Sequence, residues 1–231
     1  LKKIPYESVK LIITDGVFSM EGDVADLTSI TDLADKYNAS VYVDEAHSLG
    51  VFGEQGRGIC NHLGLTDKVD LIMGTFSKSL ATIGGFIATD AETINFLKHH
   101  SRSYIFSASI SPAATASVIA ALDVIKQEPE RLKNLWEITN YSLSAFRSLG
   151  FEIGQTQTPI IPLYIRDMDK TFMITQELYE SGVFVNPVIP PACSPNDTLI
   201  RFSLMATHTK SQIDEAVDKL TKVFRKYEII K

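Results

Sequence analysis

The sequence predicts an α/β protein: the portion of a larger domain with a mainly parallel sheet over residues 1–130, then a smaller α+β domain over residues 131–231. Three observations predict it. Apolar runs at 8–16, 40–43 and 69–73 alternate with helix-spaced segments, the rhythm of βαβ units. The run Ser40–Val43 is of the kind found in strands covered on both faces. Past residue 130 the rhythm changes to a mixture of strands and helices around a proline-rich loop.

Each element has a local reason. Ser8–Gly16 reads as a buried strand stopped by an Asp-Gly turn, and Ser19–Asp23 as a loop. Leu27, Ile30, Leu33, Ala34 and Tyr37 have helical spacing behind Asp26, a suitable cap. Ser40–Val43 is the next strand, Gly50–Gly58 a glycine-rich link expected to be flexible, and Val69–Met73 a strand with a turn at Gly74. Ile83–Thr89 returns as a short strand, which leaves Ser77 and Lys78 on the connection. Ala91–His100 is a helix, Tyr104–Ser109 a mixed stretch, and Ala113–Gln127 a helix of small and apolar residues expected to pack closely. Leu132–Leu149 is a long amphipathic helix ended by Gly150. The boundary between the two parts falls near 128–132. Strands follow at 151–153, 160–165, 183–186 and 199–204, with helices at 171–181 and 211–226 and a proline-rich loop at 187–195.

Composition excludes several classes. At 231 residues and 45% apolar content the chain can bury a substantial core. Its net charge of −6 is mixed along the sequence, so no basic stripe tracks a phosphate backbone, and nucleic acid is not an expected partner. Cys60 and Cys193 stand far apart without metal-ligand spacing, which suits a reducing compartment, here the cytoplasm, and no metal site. No apolar run approaches the roughly 20 residues that span a bilayer. The chain opens at Leu1 and runs quickly into a mid-domain strand, as a piece of a longer protein does.

The chemistry gathers between Val41 and Lys78. Asp44 and His47 follow one strand; Thr75, Ser77 and Lys78 follow another. The carboxyl ends of parallel strands are where ligands bind in such sheets. A lysine is most often a solvated charge, but one held in a partly dry cleft becomes an amine nucleophile that forms a Schiff base. Hydroxyls of Thr75 and Ser77 beside free backbone N–H groups make a phosphate cradle, and together with Lys78 they suit a phosphorylated aldehyde. Asp44 either caps a turn or holds a pyridinium proton. His47 is either structural or a donor to a ring oxygen. Arg201, inside an alternating strand, faces solvent or offers a planar fork to a carboxylate. His62, His99 and His100 read as surface residues, and His208 is assigned to neither class.

Asp44-Glu45-Ala46-His47-Ser48-Leu49-Gly50, Gly74-Thr75-Phe76-Ser77-Lys78, Ser107-Ala108-Ser109 before Pro112, and Arg201 before Ala206-Thr207-His208-Thr209 resemble the α-oxoamine synthase family. Those are fold-type-I pyridoxal-phosphate transferases, aminotransferase-like in fold. The resemblance implies a homodimer with sites at the subunit interface and condensation of an amino acid with an acyl-coenzyme A. It implies that Lys78 carries the cofactor and moves protons, Asp44 partners the pyridine nitrogen, and His47 donates to the ring oxygen. Ser19 lies beside the cofactor, Thr75 is a phosphate ligand with Ser77 and Lys78 on the same turn, and Ser107 with Ala108 reaches the phosphate of the other subunit's cofactor. Arg201 holds the substrate carboxylate. An upstream half would add a histidine stacked on the ring and a further phosphate contact.

Within the family, Met73–Ala81, Gly182–Val188 and Leu199–Thr209 are most similar to the bacterial serine palmitoyltransferases. That branch joins L-serine to a long-chain acyl-coenzyme A, giving 3-ketodihydrosphingosine with loss of carbon dioxide. Sister enzymes using glycine with acetyl-coenzyme A or alanine with pimeloyl-coenzyme A, and a non-catalytic regulatory subunit of the same fold, remain open alternatives. Membrane contact is possible for long-chain members, although Leu132–Leu149 shows no strongly basic apolar face.

Overall fold

Strand β1 (Leu11–Asp15), helix α1 (Leu27–Tyr37) and strand β2 (Ser40–Asp44) form the first βαβ unit of a computed structural model that describes all 231 residues. α1 has the expected bounds because both ends are capped: Asp26 accepts from the Ser29 N–H, and Asn38 closes the helix in the left-handed region. A short helix α2 (Ile59–His62), strand β3 (Leu71–Thr75) and strand β4 (Gly85–Ala88) follow. The sheet order is β1-β2-β3-β4; the first three strands are parallel and β4 runs antiparallel to β3. Helices α3 (Ala91–His100), α4 (Arg102–Ile105) and α5 (Pro112–Gln127) complete this part.

Four expectations for this region are corrected. Gly74 is not a turn: it sits inside β3 opposite Phe86, where a Cβ would come within 2.3 Å of that ring. The strand therefore carries on to Thr75. The Gly50–Gly58 link is a folded block rather than a flexible one, closed by Gly50 N–H to Gly56 O at 2.7 Å and Gly58 N–H to Phe52 O at 2.8 Å, with Phe52 and Gly56 buried. The sheet is covered unevenly, because Val41 and Val43 are fully buried and Tyr42 between them is half-buried, whereas Leu11 and Ile13, on the Tyr42 face of the edge strand β1, are exposed. α5 buries Val118 alone, and Ile119, Leu122 and Val124 stay exposed, so its apolar content is not used in close packing within the chain.

The chain divides into two compact units, residues Leu1–Val17 with Ala25–Pro129, and residues Phe18–Val24 with Glu130–Lys231. The second unit holds α6 (Glu130–Ser148), β5 (Ile160–Tyr164), α7 (Met168–Glu180), β6 (Asn186–Val188), β7 (Leu199–Ser203) and α8 (Lys210–Lys226). Its antiparallel sheet has the order β5-β7-β6. Phe146, Phe151, Phe202 and Phe224 pack as a chain of rings 4.9–5.2 Å apart between centroids. α8 begins with a capping box formed by Thr209 and Gln212.

Here two expected strands move. Residues 151–153 are not a strand: Phe151 and Ile153 are buried, and the ladder to β5 is limited to Tyr164 N–H on Glu152 O. The strand expected at 183–186 falls at 186–188 and includes Pro187, which the edge position of β6 tolerates. α7 starts three residues earlier than expected, where Asp167 accepts from the Lys170 N–H. The segment Phe18–Val24 belongs to this unit because Gly22, at φ +71°, lies against Ile160 O, Thr156 and Thr158, leaving no room for a side chain.

Candidate active site

Three parallel strands end side by side in groups that carry chemistry. The register pairs Asp15 with Asp44 and Asp44 with Met73, so β1 ends in one carboxylate, β2 in a second, and β3 in the Thr75 hydroxyl two residues further on. The ladder continues past the strands through Gly16 N–H to Asp44 O and Glu45 N–H to Met73 O, both 2.8 Å. These bonds fix where the chain leaves the sheet.

Asp44 Oδ1 accepts from the Ala46 N–H at 2.8 Å, an Asx-type turn, while its second oxygen has no hydrogen-bond partner. Asp15 was not singled out from sequence, where it read as the first half of an Asp-Gly turn. Partial burial raises its carboxyl above the ordinary value, the neighbouring Asp44 raises it further, and the Lys78 ammonium draws it back down. Asp44 and Lys78 therefore both lie within electrostatic reach of Asp15. The signal that marks Asp15 in the sequence is its place at the carboxyl end of an apolar strand, the same feature that marked Asp44.

Lys78 and Ser77 are exposed in this chain, so the dry cleft expected around the lysine is not built by these residues alone. Ser77 Oγ and Thr75 Oγ1 are paired at 2.9 Å. His47 is half-buried on the turn after β2. Ser107 and Ala108 are exposed on the stretch before α5, and the Ser107 hydroxyl donates to the Ser103 carbonyl.

The remaining candidates belong to the second unit. Arg201, half-buried on β7, donates through Nε to the Ser19 carbonyl at 2.7 Å and through Nη1 to Ser203 Oγ at 2.8 Å. It has no carboxylate partner, and burial shifts its guanidinium below the ordinary pKa. Arg201 and Ser19 are thus brought together by a hydrogen bond. His208 lies in a cleft of about 370 Å³ lined also by Phe184, Gln212 and Lys219, and its Nδ1 accepts from the Met205 N–H. Of the other histidines, His62 packs edge-on against Phe52, and His99 and His100 bond back to the carbonyls of Asn95 and Phe96.

The sequence matches the family aminotransferase class I and II over residues 1–220. It is 65% identical over 230 residues to a serine palmitoyltransferase of Bacteroides ovatus, covering 100% of this chain and 58% of that protein. It is 56% identical over 229 residues to a serine palmitoyltransferase of Sphingobacterium spiritivorum, covering 99% of this chain and 57% of that protein. An 8-amino-7-oxononanoate synthase of Thermosipho melanesiensis is more distant, at 42% over 221 residues, 96% of this chain and 56% of that protein. A serine palmitoyltransferase from S. paucimobilis, solved with a bound PLP-myriocin aldimine, superposes with a TM-score of 0.95 at 32% identity, covering 99% of this chain and 58% of that one. The chain thus spans a little under three-fifths of the relatives it matches, and it has the aminotransferase-like fold of type I that the motifs implied. On the family match over 220 of its residues, the chain belongs to the aminotransferase class I and II family.

Proposed function

We propose that the protein carrying this chain is a pyridoxal-phosphate-dependent acyltransferase. It joins L-serine to a long-chain acyl-coenzyme A, releasing coenzyme A and carbon dioxide and forming 3-ketodihydrosphingosine. The observation that carries the chemistry is the pairing of Asp15 and Asp44 at adjacent strand ends, with Lys78 in electrostatic reach of Asp15. The substrate pair rests on the 65% and 56% identity to the serine palmitoyltransferases of Bacteroides ovatus and Sphingobacterium spiritivorum, against 42% to the 8-amino-7-oxononanoate synthase of Thermosipho melanesiensis.

The donor set fits the cofactor. Asp44 keeps one carboxylate oxygen without a partner, which is what a protonated ring nitrogen needs, and Arg201, which has no carboxylate partner, suits a substrate carboxylate. When bound, pyridoxal phosphate supplies an electron sink for the α-carbon of the amino acid. Lys78 would provide the amine that holds the cofactor and then the group that takes and returns the α-proton. Asp44 would keep the ring nitrogen protonated, and His47 would donate to the ring oxygen. Thr75 and Ser77 offer hydroxyls to the phosphate, and Ser107 with Ala108 contributes to the phosphate bound by a second copy. Ser19 would lie beside the cofactor. Arg201 would orient the serine by its carboxylate. Residues 1–130 are the carboxyl-terminal portion of the cofactor-binding domain, and 131–231 the small domain.

The working form is a cytoplasmic homodimer. Exposed Phe106, Ile110, Ile119 and Leu122 support it, since monomers rarely leave such apolar side chains uncovered. No helix is long and apolar enough to cross a membrane. A regulatory subunit without activity is disfavoured because a scaffold needs none of Lys78, Asp44, His47 and Arg201. The test is the visible absorption spectrum of the full-length protein with and without serine. Lys78→Ala is expected to abolish the cofactor band and its response to serine; an unchanged spectrum overturns the lysine assignment. A panel of amino acids and acyl thioesters checks the substrate pair.

A further inference from the structure

We propose that Glu45 and Ser79 are positioning residues that lock the turn carrying Asp44 and His47 onto the turn carrying Lys78. This inference rests on the cofactor-binding function proposed above. It begins with Glu45, a carboxylate 1% exposed that the proposed chemistry does not use. Burying a carboxylate is costly unless it is fully hydrogen-bonded, and this one is. It accepts from the backbone N–H groups of Ile59 at 2.7 Å and Cys60 at 2.8 Å, and from the Ser48 hydroxyl. Gly58, at φ +107°, is forced by the same carboxylate, because a Cβ there would come within 2.4 Å of Glu45 Oε2. Burial, and then the Glu45 carboxylate, hold the Cys60 thiol well above its ordinary pKa, so that sulfur stays protonated beside it.

Glu45 also fixes its own turn. Its N–H reaches Met73 O on the neighbouring strand, and its carbonyl accepts from the N–H groups of Ser48 and Leu49 at 3.0 and 2.8 Å. Asp44 precedes it and His47 follows two residues later. The folded block from Glu45 to Cys60 then meets the lysine turn at one corner. Ser79 Oγ donates to Leu49 O at 2.8 Å, and Gly50 packs so closely that a Cβ would lie 2.5 Å from Ser79 Cβ. Ser79 is the residue after Lys78, and the turn is closed by Ala81 N–H on Lys78 O. One buried carboxylate and one hydroxyl thus set the spacing between the ring-nitrogen partner and the cofactor-bearing amine.

The experiment compares full-length protein with Ser79→Ala and Glu45→Gln. Three readouts are taken: thermal midpoint, equilibrium retention of pyridoxal phosphate with the pH midpoint of its visible band, and amide hydrogen exchange at residues 45–52 in the cofactor-free protein. Ser79 is exposed, so its alanine variant is expected to melt with the parent. It is also expected to exchange faster at Leu49–Val51, to bind pyridoxal phosphate about threefold more weakly, and to shift the pH midpoint. Glu45→Gln, which sets an amide against backbone donors, is expected to weaken retention about tenfold. Parent-like exchange, retention and pH midpoint in Ser79→Ala overturn the proposal, whatever Glu45→Gln does to folding. Faster exchange in Ser79→Ala alongside a parent that takes up no pyridoxal phosphate confirms the tie and sinks the cofactor reading instead.

Discussion

The two sheets of this chain solve the problem of apolar surface differently. In the second unit, β5 buries Ile160, Ile161 and Leu163, β7 buries Leu199, Ile200 and Phe202, and Phe146 and Phe224 are almost completely covered. In the first, β1 leaves Leu11 and Ile13 exposed, Ile13 by 67%, while Val41 and Val43 one strand away are at 0%. The second unit is a core closed by its own helices. The first has a filled face and a more open one, and Asp15, Asp44 and Thr75 stand at the carboxyl ends of its strands. Stability in the second unit is therefore local to the chain, whereas the open face contributes only when something else packs on it.

The contrast can be broken by mutation. Phe146→Ala removes a ring shared by two neighbours in the closed core and is expected to cost about 3–5 kcal/mol in denaturant unfolding of the second unit. Ile13→Ala, on the open face, is expected to cost no more than about 0.5 kcal/mol in this chain. Comparable losses at the two positions would show that the open face is covered in solution. Gly74→Ala tests the filled face, where the new methyl must displace the Phe86 ring. An overpacking loss of about 1–3 kcal/mol is expected, read from the urea midpoint.

A further small effect is electrostatic. Arg166 binds Glu152 and Asp197 on the surface of the second unit, and its hydrogen bond to Glu152 holds that carboxyl below the ordinary carboxylate range. A carboxyl lowered in the folded state stabilises above its unfolded pKa, near 4.5, and loses that contribution as the pH falls through the folded value. With the partners about half exposed, solvent screening limits the contribution to under about 1 kcal/mol. The urea midpoint is expected to fall slightly more between pH 5 and pH 3 in the parent than in Arg166→Gln.

Much of this architecture was legible beforehand because its cues are local. α1 follows from apolar spacing and from Asp26 at its start, α8 from apolar spacing, and β5 and β7 from their apolar patterns. Asp44 and Thr75 were legible for the same reason, since each closes an apolar run. What escaped depended on distant neighbours. Gly74 has the look of a turn residue until Phe86 is laid across it, and Gly50–Gly58 looks loose until Glu45 organises its far end. Asp15 passes for half a turn until the register sets it beside Asp44.

By itself, then, the sequence determined the order and type of most elements and the family, because spacing, caps and short motifs are written in consecutive residues. Tertiary structure alone decided which carboxylates share a strand end, which face of the first sheet is filled, and that Phe18–Val24 joins the second unit. Those outcomes depend on strand register and on close approaches between residues far apart in the chain. Neither is encoded in any one stretch of it.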